Sequence, residues 1–463
     1  MRRQIRSNFG WKHLPTAGFL LLAIWLLFQF DPIFQQSTTI LLLLLPLAWG
    51  SISTTIPSFQ SDFNVFTPKN IMLFIWFNKL VIVPLELIFV GNKAFLLNPK
   101  NQPINTEVSI IILSCFAFVA GWQYNVLKSH NRVFAPLHST KQWAIIYLSI
   151  SLLSLLILYG SLAAYWAGSI FTYVTRQVLE QVSGTFTGFF ANVGQRFWPF
   201  GIILAWYWWK QKYPHLHQWY WPILWILLCL VGTLSSNRSN MLYPALTFGS
   251  IIAAGWQLRQ KSWLLILSLG LVLLLLFFGY LRVQPTLDTE RVGELFDAYL
   301  SDNDYIWYAH QLYFGTPYQI TPLLGIENQS FTLFASTLDP VPILGKAFRE
   351  QSGPFVYNLA IYDSTVSQDK VIPVAGELYY NGGFTMLTAG YFLFGVVYRW
   401  LDTTFKYYVV ANPPLAASFF YLALLFNATL LLSLSVLVQF ALYNAPPALL
   451  IIVLNWWQMR KAS

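Results

Sequence analysis

Runs of about 17 to 25 mainly apolar residues, the length that spans a bilayer core as a helix, alternate along the chain with short polar segments. A helix satisfies its own backbone hydrogen bonds, as a spanning segment in lipid must. Stretches such as 264–276 lack the alternating pattern that a transmembrane β-strand requires. The pattern therefore predicts an all-α fold, a polytopic bundle of transmembrane helices.

The apolar runs predict about twelve spans. They lie near residues 14–30, 39–57, 71–91, 107–124, 142–166, 189–209, 219–233, 240–256, 263–281, 374–398, 413–432 and 434–456. The stretch 282–373 is too long for a simple connection and is rich in aromatic residues, so we expect short helices there, on the membrane surface or over a cavity. The chain is thus divided into a bundle at 1–281 with about nine spans, a large loop at 282–373, and about three spans at 374–463.

Lysine and arginine gather at the N-terminus, in alternate loops and in the C-terminal tail, whereas the loop 282–373 holds most of the acidic residues. Basic loops stay on the cytoplasmic side. The distribution predicts a multi-pass membrane protein with both termini in the cytoplasm and the large loop on the opposite side. The formal charge of +9 then reflects orientation, and no nucleic-acid partner is expected.

Composition narrows the chemistry further. Hydrophobic residues make up 56% of the chain and charged residues 10%. Cys115 and Cys229, the two cysteines, both fall in predicted spans, which argues against a disulfide framework or a thiolate metal site. No glycine pattern for binding nucleotide phosphates occurs. We therefore expect no metal and no cofactor.

Arginines stand where helices are predicted to end on the outer side. The planar guanidinium fits phosphate oxygens bidentately and stays charged, so several of them around an outward cavity would bind a lipid-linked diphosphate. Alternatively, each arginine reaches a lipid headgroup or pairs with a carboxylate. Arg238, in the short loop SSNRSN, has the least freedom and is our first choice. The full set is Arg176, Arg196, Arg238, Arg282 and Arg291.

Two residues are candidates for the general base that a hydroxyl acceptor requires. His310 is the one histidine predicted on the outer side, and packing among its aromatic neighbours is the alternative role. Glu377 lies where the large loop re-enters the membrane, and there a helix–helix contact is the alternative. Lys79 and Glu86, two turns apart on the third span, can pair with each other or with neighbouring helices.

Three features resemble one family, the Wzy-type O-antigen or oligosaccharide repeat-unit polymerases, which are related to O-antigen ligases. LSSNRSNMLYPAL, at 234–246, is similar to the family's small-polar-Arg turn before an apolar helix. The large loop follows two spans later. GELYYNGGFTMLTAGYFLFGVVYRWLD, at 376–402, is similar to the family's Glu-aromatic-Asn-Gly segment.

This resemblance implies a metal-independent glycosyltransferase with a GT-C-like fold in the bacterial inner membrane, with the large loop in the periplasm. Such an enzyme polymerises undecaprenyl-diphosphate-linked oligosaccharides at the periplasmic face into O-antigen, capsule or exopolysaccharide, as in lipopolysaccharide biosynthesis. Its partners would be that lipid-linked glycan, membrane lipids and a chain-length regulator. It further implies Arg238 at the diphosphate, supported by position by Arg282, Arg176 and Arg291, and Glu377 as the base. The alternatives are an O-antigen ligase and a flippase for the same lipid-linked glycans.

Overall fold

The computed structural model describes residues 38–56, 67–93, 104–124, 137, 139–159, 186–215, 223–225, 239–254, 307, 310–312, 314–315, 317–324, 326, 331–342, 344–362, 372–431 and 433–462. Every regular element in these ranges is helical, which confirms the all-α class. A π turn, Asn78–Ile82, joins α2 to α3, and a 3-10 turn, Gln195–Phe197, joins α6 to α7. The α-helices are α1 Thr38–Thr55, α2 Pro68–Phe77, α3 Val83–Phe89, α4 Asn105–Gln123, α5 Thr140–Tyr159, α6 Phe186–Gly194, α7 Trp198–Lys212, α8 Ser239–Ala253, α9 Thr321–Leu324, α10 Phe331–Leu338, α11 Gly345–Phe348, α12 Gly353–Tyr362, α13 Val374–Ala411, α14 Pro413–Leu431, α15 Leu434–Tyr443 and α16 Pro446–Ala462.

Four helical stretches of the described residues are long and apolar enough to cross a membrane: Pro68–Phe89, Asn105–Gln123, Thr140–Ile157 and Val374–Ala411. α15 and α16 together make a fifth candidate that is bent by 60° at its break. These helices are consistent with the predicted membrane protein. The predicted spans 14–30 and 263–281, and most of 219–233, lie outside the described residues.

Proline and polar caps mark the start of several helices. α2 begins at Pro68, and the Thr67 hydroxyl accepts the Asn70 N–H at 3.2 Å. α14 begins at Pro413, and the Asn412 side chain accepts an N–H of its first turn. Proline at the first helical position has no N–H to leave unsatisfied, and the cap satisfies one of those that follow. Such local signals explain why helix starts are readable from the sequence.

The centre of the bundle is the contact between α4 and α13. A Cβ added at Gly121 would overlap the Phe392 carbonyl, and one added at Gly395 would overlap the Phe118 carbonyl. Small residues let membrane helices approach backbone to backbone. The two helices therefore form a close-packed pair around which the others are arranged.

α13 turns back on itself near its start. The backbone leaves helical geometry at Gly383 and the glycine before it, and the φ of +61° at Gly383 is one that other residues rarely adopt. A Cβ added at Gly390 would lie 2.7 Å from the Leu378 side chain, although residues that far apart in a straight helix are separated by about 18 Å. Residues 374–381, the short arm, therefore fold back against residues 384–411, the long arm.

Two further predicted spans, besides 374–398, differ from single straight helices. Span 189–209 corresponds to α6 and α7, which are interrupted by the 3-10 turn. Span 434–456 corresponds to α15 and α16, and at its break the N–H groups of Asn444 and Ala445 share the Phe440 carbonyl. Apolar length alone does not register such breaks, because the flanking residues remain apolar.

Candidate functional site at the loop end of the bundle

His310 lies between two polar side chains of the α2–α3 span. Its Nδ1 is 2.7 Å from Glu86 Oε1, and its Nε2 is 3.2 Å from Asn78 Oδ1. Asn78 Nδ2 donates to the Phe74 carbonyl at 2.8 Å, which turns the amide oxygen toward the imidazole. Each ring nitrogen therefore lies close to an oxygen atom of this span, and of the two contacts the one at Nε2 has hydrogen-bond geometry.

The π turn at Asn78–Ile82 positions these side chains. A π turn inserts one residue into the helical repeat and is frequent at functional sites. It changes the angular relation of Lys79 and Glu86, which a regular helix would place on one face. Glu86, buried within the bundle, pairs with His310. Of the two pairings open to Glu86 from the sequence, the structure forms the one with a neighbouring segment.

The segment that carries His310 is attached to the end of α3. Gln311 is completely buried; its Nε2 donates to the Gly91 carbonyl at 3.0 Å, and its Oε1 accepts the Lys93 N–H at 2.8 Å. The His310 ring packs on Phe314 with 4.6 Å between ring centroids, and its side chain remains 21% exposed. The histidine is thus held in place while one side of the imidazole stays accessible.

Lys79 brings a positive charge to the same segment. A Cβ added at Gly315 would lie 3.7 Å from Lys79 Nζ, so the ammonium group lies next to this glycine, whose φ is +80°. The Lys79 amino group therefore lies beside the histidine segment, and none of the described carboxylates pairs with it.

Glu377 lies in the short arm of α13 and is fully buried. Its Oε2 accepts the N–H of Leu434, the first residue of α15, at 2.9 Å. The first N–H groups of a helix have no partner within the helix and carry partial positive charge. The Glu377 carboxylate therefore caps α15. Its other oxygen faces the start of α12, where a Cβ added at Gly353 would be 3.1 Å away.

Asn381, one turn after Glu377, caps a second helix. Its Oδ1 accepts the Thr332 hydroxyl at 2.6 Å and the Leu333 N–H at 3.0 Å, both in the first turn of α10. Its Nδ2 donates to the Glu377 carbonyl at 2.7 Å, which fixes the orientation of the amide. Asn381 thus ties the loop helix α10 to the short arm.

The N-terminus of a third helix, α12, also lies next to Glu377. Ser336 on α10 accepts the N–H of Gly353, the first residue of α12, at 2.8 Å. The N-termini of α10, α12 and α15 therefore converge on the turn that carries Glu377 and Asn381. In the segment GELYYNGGF these two residues are four apart and share a helix face, while the glycine pair makes the turn into the long arm.

Glu107, in the first turn of α4, joins another loop helix to the bundle. The hydroxyl of Thr321, the first residue of α9, donates to Glu107 Oε1 at 2.7 Å. The Tyr357 hydroxyl donates to the Gln319 carbonyl at 2.7 Å and ties α12 to the turn before α9. Burial, together with the nearby Glu107 carboxylate, raises the pKa of Tyr318 in that turn. The described loop helices therefore pack on the bundle through buried polar contacts.

Among the candidate arginines, Arg196 is described, within the 3-10 turn between α6 and α7. Its Nε and Nη1 atoms are inaccessible to solvent, and its charge lies close to Tyr421 of α14. Arg196 is thus partly buried at the junction of two helices, and its predicted position at an outer helix end stays a prediction. Four candidates lie outside the described residues, namely Arg176, Arg238, Arg282 and Arg291.

The structure brings His310, Glu86 and Asn78 together and, separately, Glu377, Asn381 and the starts of three helices. No described contact links His310 with Glu377. The sequence analysis missed Asn78 and Asn381. Asn78 lies beside Lys79 inside an apolar run, and Asn381 is part of the Glu-aromatic-Asn-Gly segment. A polar amide within a predicted span needs a hydrogen-bond partner, and this requirement could have pointed to both residues.

Comparison of the chain with protein-family models, curated proteins and solved structures finds no match.

Proposed function

We propose that the chain is a membrane glycosyltransferase that polymerises undecaprenyl-diphosphate-linked oligosaccharide repeat units at the periplasmic face of the bacterial inner membrane. The observation that carries the proposal is the His310–Glu86 pair, whose atoms are 2.7 Å apart and whose imidazole is 21% exposed. An imidazole oriented by a carboxylate is a common acid–base group for activating a hydroxyl. The helices suited to cross a membrane and the sequence resemblance support the substrate class.

In this proposal His310 is the general base. The acceptor sugar hydroxyl takes the place of Asn78 Oδ1 at Nε2, while Glu86 holds Nδ1. The hydroxyl oxygen forms the new bond to the anomeric carbon, its proton passes to Nε2, and the bond from that carbon to the diphosphate oxygen breaks. Glu377 is less suited to this role because it is fully buried and caps α15.

The leaving group is a lipid diphosphate, whose negative charge needs fixed cationic donors. Lys79, next to the histidine segment, is a described cation with that potential. Arg238, together with the other candidate arginines, stays our first choice for binding the diphosphate, because of the sequence resemblance and the predicted positions of these arginines. A transfer supported by such cations has no requirement for a nucleotide sugar.

The test is polymerisation by the purified protein in nanodiscs, with undecaprenyl-diphosphate-linked repeat units as substrate and gel analysis of the glycans. His310→Gln removes the base and is expected to lower polymer formation by about 10² to 10⁴-fold. Glu86→Gln is expected to lower polymer formation by a smaller factor, because it disturbs only the orientation of the His310 imidazole. His215→Gln is the matched control, since His215 is an exposed histidine after α7.

Each alternative function predicts a different outcome of this test. A single transfer to a lipid acceptor without a ladder would replace polymerase with ligase. Translocation of the same lipid in proteoliposomes without any ladder would replace it with flippase. Full activity of His310→Gln alongside a wild-type ladder would overturn the assignment of the base.

A further inference from the structure

A second polar site lies between the start of α5 and the end of α7. A cavity of about 390 Å³ is lined there by Thr140, Lys141 and Gln142 of α5, and by Trp208 and Gln211 of α7. This volume falls within the range of about 300–1,000 Å³ found for small-ligand sites. Neither Asp nor Glu contributes to the described lining.

Lys141, which lines the cavity, and Lys212, just outside the lining, both lie near the ring of Trp208. Lys141 Nζ lies 5.4 Å from the centroid of the Trp208 ring, and Lys212 Nζ lies 5.7 Å from it. Each contact is a cation–π interaction, but two like charges beside one indole also repel each other. An anion placed at the cavity offsets that repulsion.

Thr140 supplies an independent polar contact. Its side chain is 4% exposed and lines the cavity, and its hydroxyl forms no hydrogen bond with the described residues. Thr140, Lys141 and Gln142 are also the first three residues of a 20-residue helix, so their backbone N–H groups lack partners within α5. A hydroxyl, N–H groups and two ammonium groups are the donors that a phosphate binds.

The surroundings identify the source of the phosphate as a lipid. Past the cavity, α5 exposes an apolar face that includes Ile145 and Leu153, where acyl chains can lie. On α7, Trp209 and Tyr213 are exposed beside the lysines, as at membrane–water interfaces. A polar cavity at the end of an exposed apolar helix face matches the two parts of a phospholipid.

We propose that this cavity binds the phosphate headgroup of an anionic phospholipid, with its acyl chains on the exposed face of α5. The site shares no residue with the His310 pair and does not depend on the proposed polymerase activity. Phosphatidylglycerol is a suitable probe because its headgroup carries one negative charge.

The experiment measures phosphatidylglycerol retained by the full-length protein after detergent washing, by native mass spectrometry. We expect a bound lipid on the wild type and about 30-fold weaker retention by the double variant Lys141→Gln, Lys212→Gln, at about fivefold for each lysine. Thr140→Val is expected to weaken retention further. Lys210→Gln is the matched control, because Lys210 lies over Trp206 and not over Trp208, the ring that lines the cavity.

Equal loss of lipid in Lys210→Gln and in Lys141→Gln would show a general surface attraction and overturn the site. Displacement of the lipid by millimolar inorganic phosphate as readily as by short-chain phosphatidylglycerol would assign the cavity to soluble phosphate and overturn the lipid source. Retention that follows the cavity variants and resists inorganic phosphate supports the proposal.

Discussion

The short and long arms of α13 both cap neighbouring helices, but they do so differently. In the long arm, Asp402 accepts the Lys69 N–H at the start of α2 and pairs with Lys406 at 2.6 Å, while Arg399 donates to two carbonyls at the end of α4. In the short arm, Glu377 and Asn381 cap helices that carry or adjoin the large loop. One arm joins helices of the bundle to each other, and the other joins the bundle to the loop.

The buried carboxylates at the loop end and in the long arm also differ in how many of their oxygens form hydrogen bonds. Both oxygens of Asp402 have partners. At the loop end, the second oxygens of Glu86 and Glu107 have no hydrogen-bond partner among the described residues, although both are buried. Unsatisfied buried acceptors are costly, so proteins retain them mainly where they serve a function. Among these buried carboxylates, Glu86 and Glu107 each keep one oxygen to spare, whereas Asp402 does not.

The largest expected effect on stability comes from breaking the frame that both arms share. Gly395→Val places a side chain where the α4 backbone lies, and we expect a loss of about 3 kcal/mol or more in the free energy of unfolding. Thermal unfolding in detergent measures it. Gly50→Ala is the control, because nothing lies within 4 Å of a Cβ added there. Equal stability of the two variants would contradict the close contact.

Removing the helix cap that the short arm provides is expected to lower the free energy of unfolding slightly less. Asn381→Leu leaves the Leu333 N–H and the Thr332 hydroxyl buried without their acceptor, for a loss of about 2 to 4 kcal/mol. Limited proteolysis between 331 and 362 should accelerate, since α10 loses its attachment. Asn381→Asp keeps an acceptor oxygen and should protect the loop better. Unchanged proteolysis in Asn381→Leu would show that the short arm does not hold the loop.

The ion pair in the long arm should contribute less to the free energy of unfolding. Lys406 is 43% exposed, and an exposed pair of this kind contributes about 0 to 1 kcal/mol. We therefore expect Lys406→Met to change the unfolding midpoint slightly, because the Lys69 N–H still binds Asp402. A loss as large as that of Asn381→Leu would remove the contrast between the arms.

The smallest effect concerns pH and the loop helices. Burial raises the pKa of Asp339, although the nearby Arg349 opposes the shift. The folded state therefore holds the Asp339 proton to higher pH than the unfolded state does, and stability falls as pH rises from the ordinary carboxyl pKa through the raised one. Asp339→Asn should flatten the pH dependence of thermal unfolding just above the ordinary carboxyl pKa. A steeper fall in that variant would contradict the sign.

Much of the fold follows from local sequence. The predicted span 39–57 matches α1, Thr38–Thr55, and 107–124 matches α4, Asn105–Gln123, because apolar length and nearby caps are properties of adjacent residues. The importance of Glu377 was also visible, since a carboxylate at the edge of an apolar run is costly in lipid. Its partner was not visible, because Leu434 lies 57 residues away.

The sequence by itself thus determined a helical chain with apolar segments long enough to span a membrane, several of the described helix boundaries and a short list of polar residues that need partners. Tertiary structure decided which partners they have. His310 meets Asn78 from 232 residues away, Glu86 pairs with His310, and the glycine turn folds the short arm of α13 back against the long arm. Apolar length and helix propensity are summed over neighbouring residues, whereas the pairing of buried polar groups depends on which distant helices pack together.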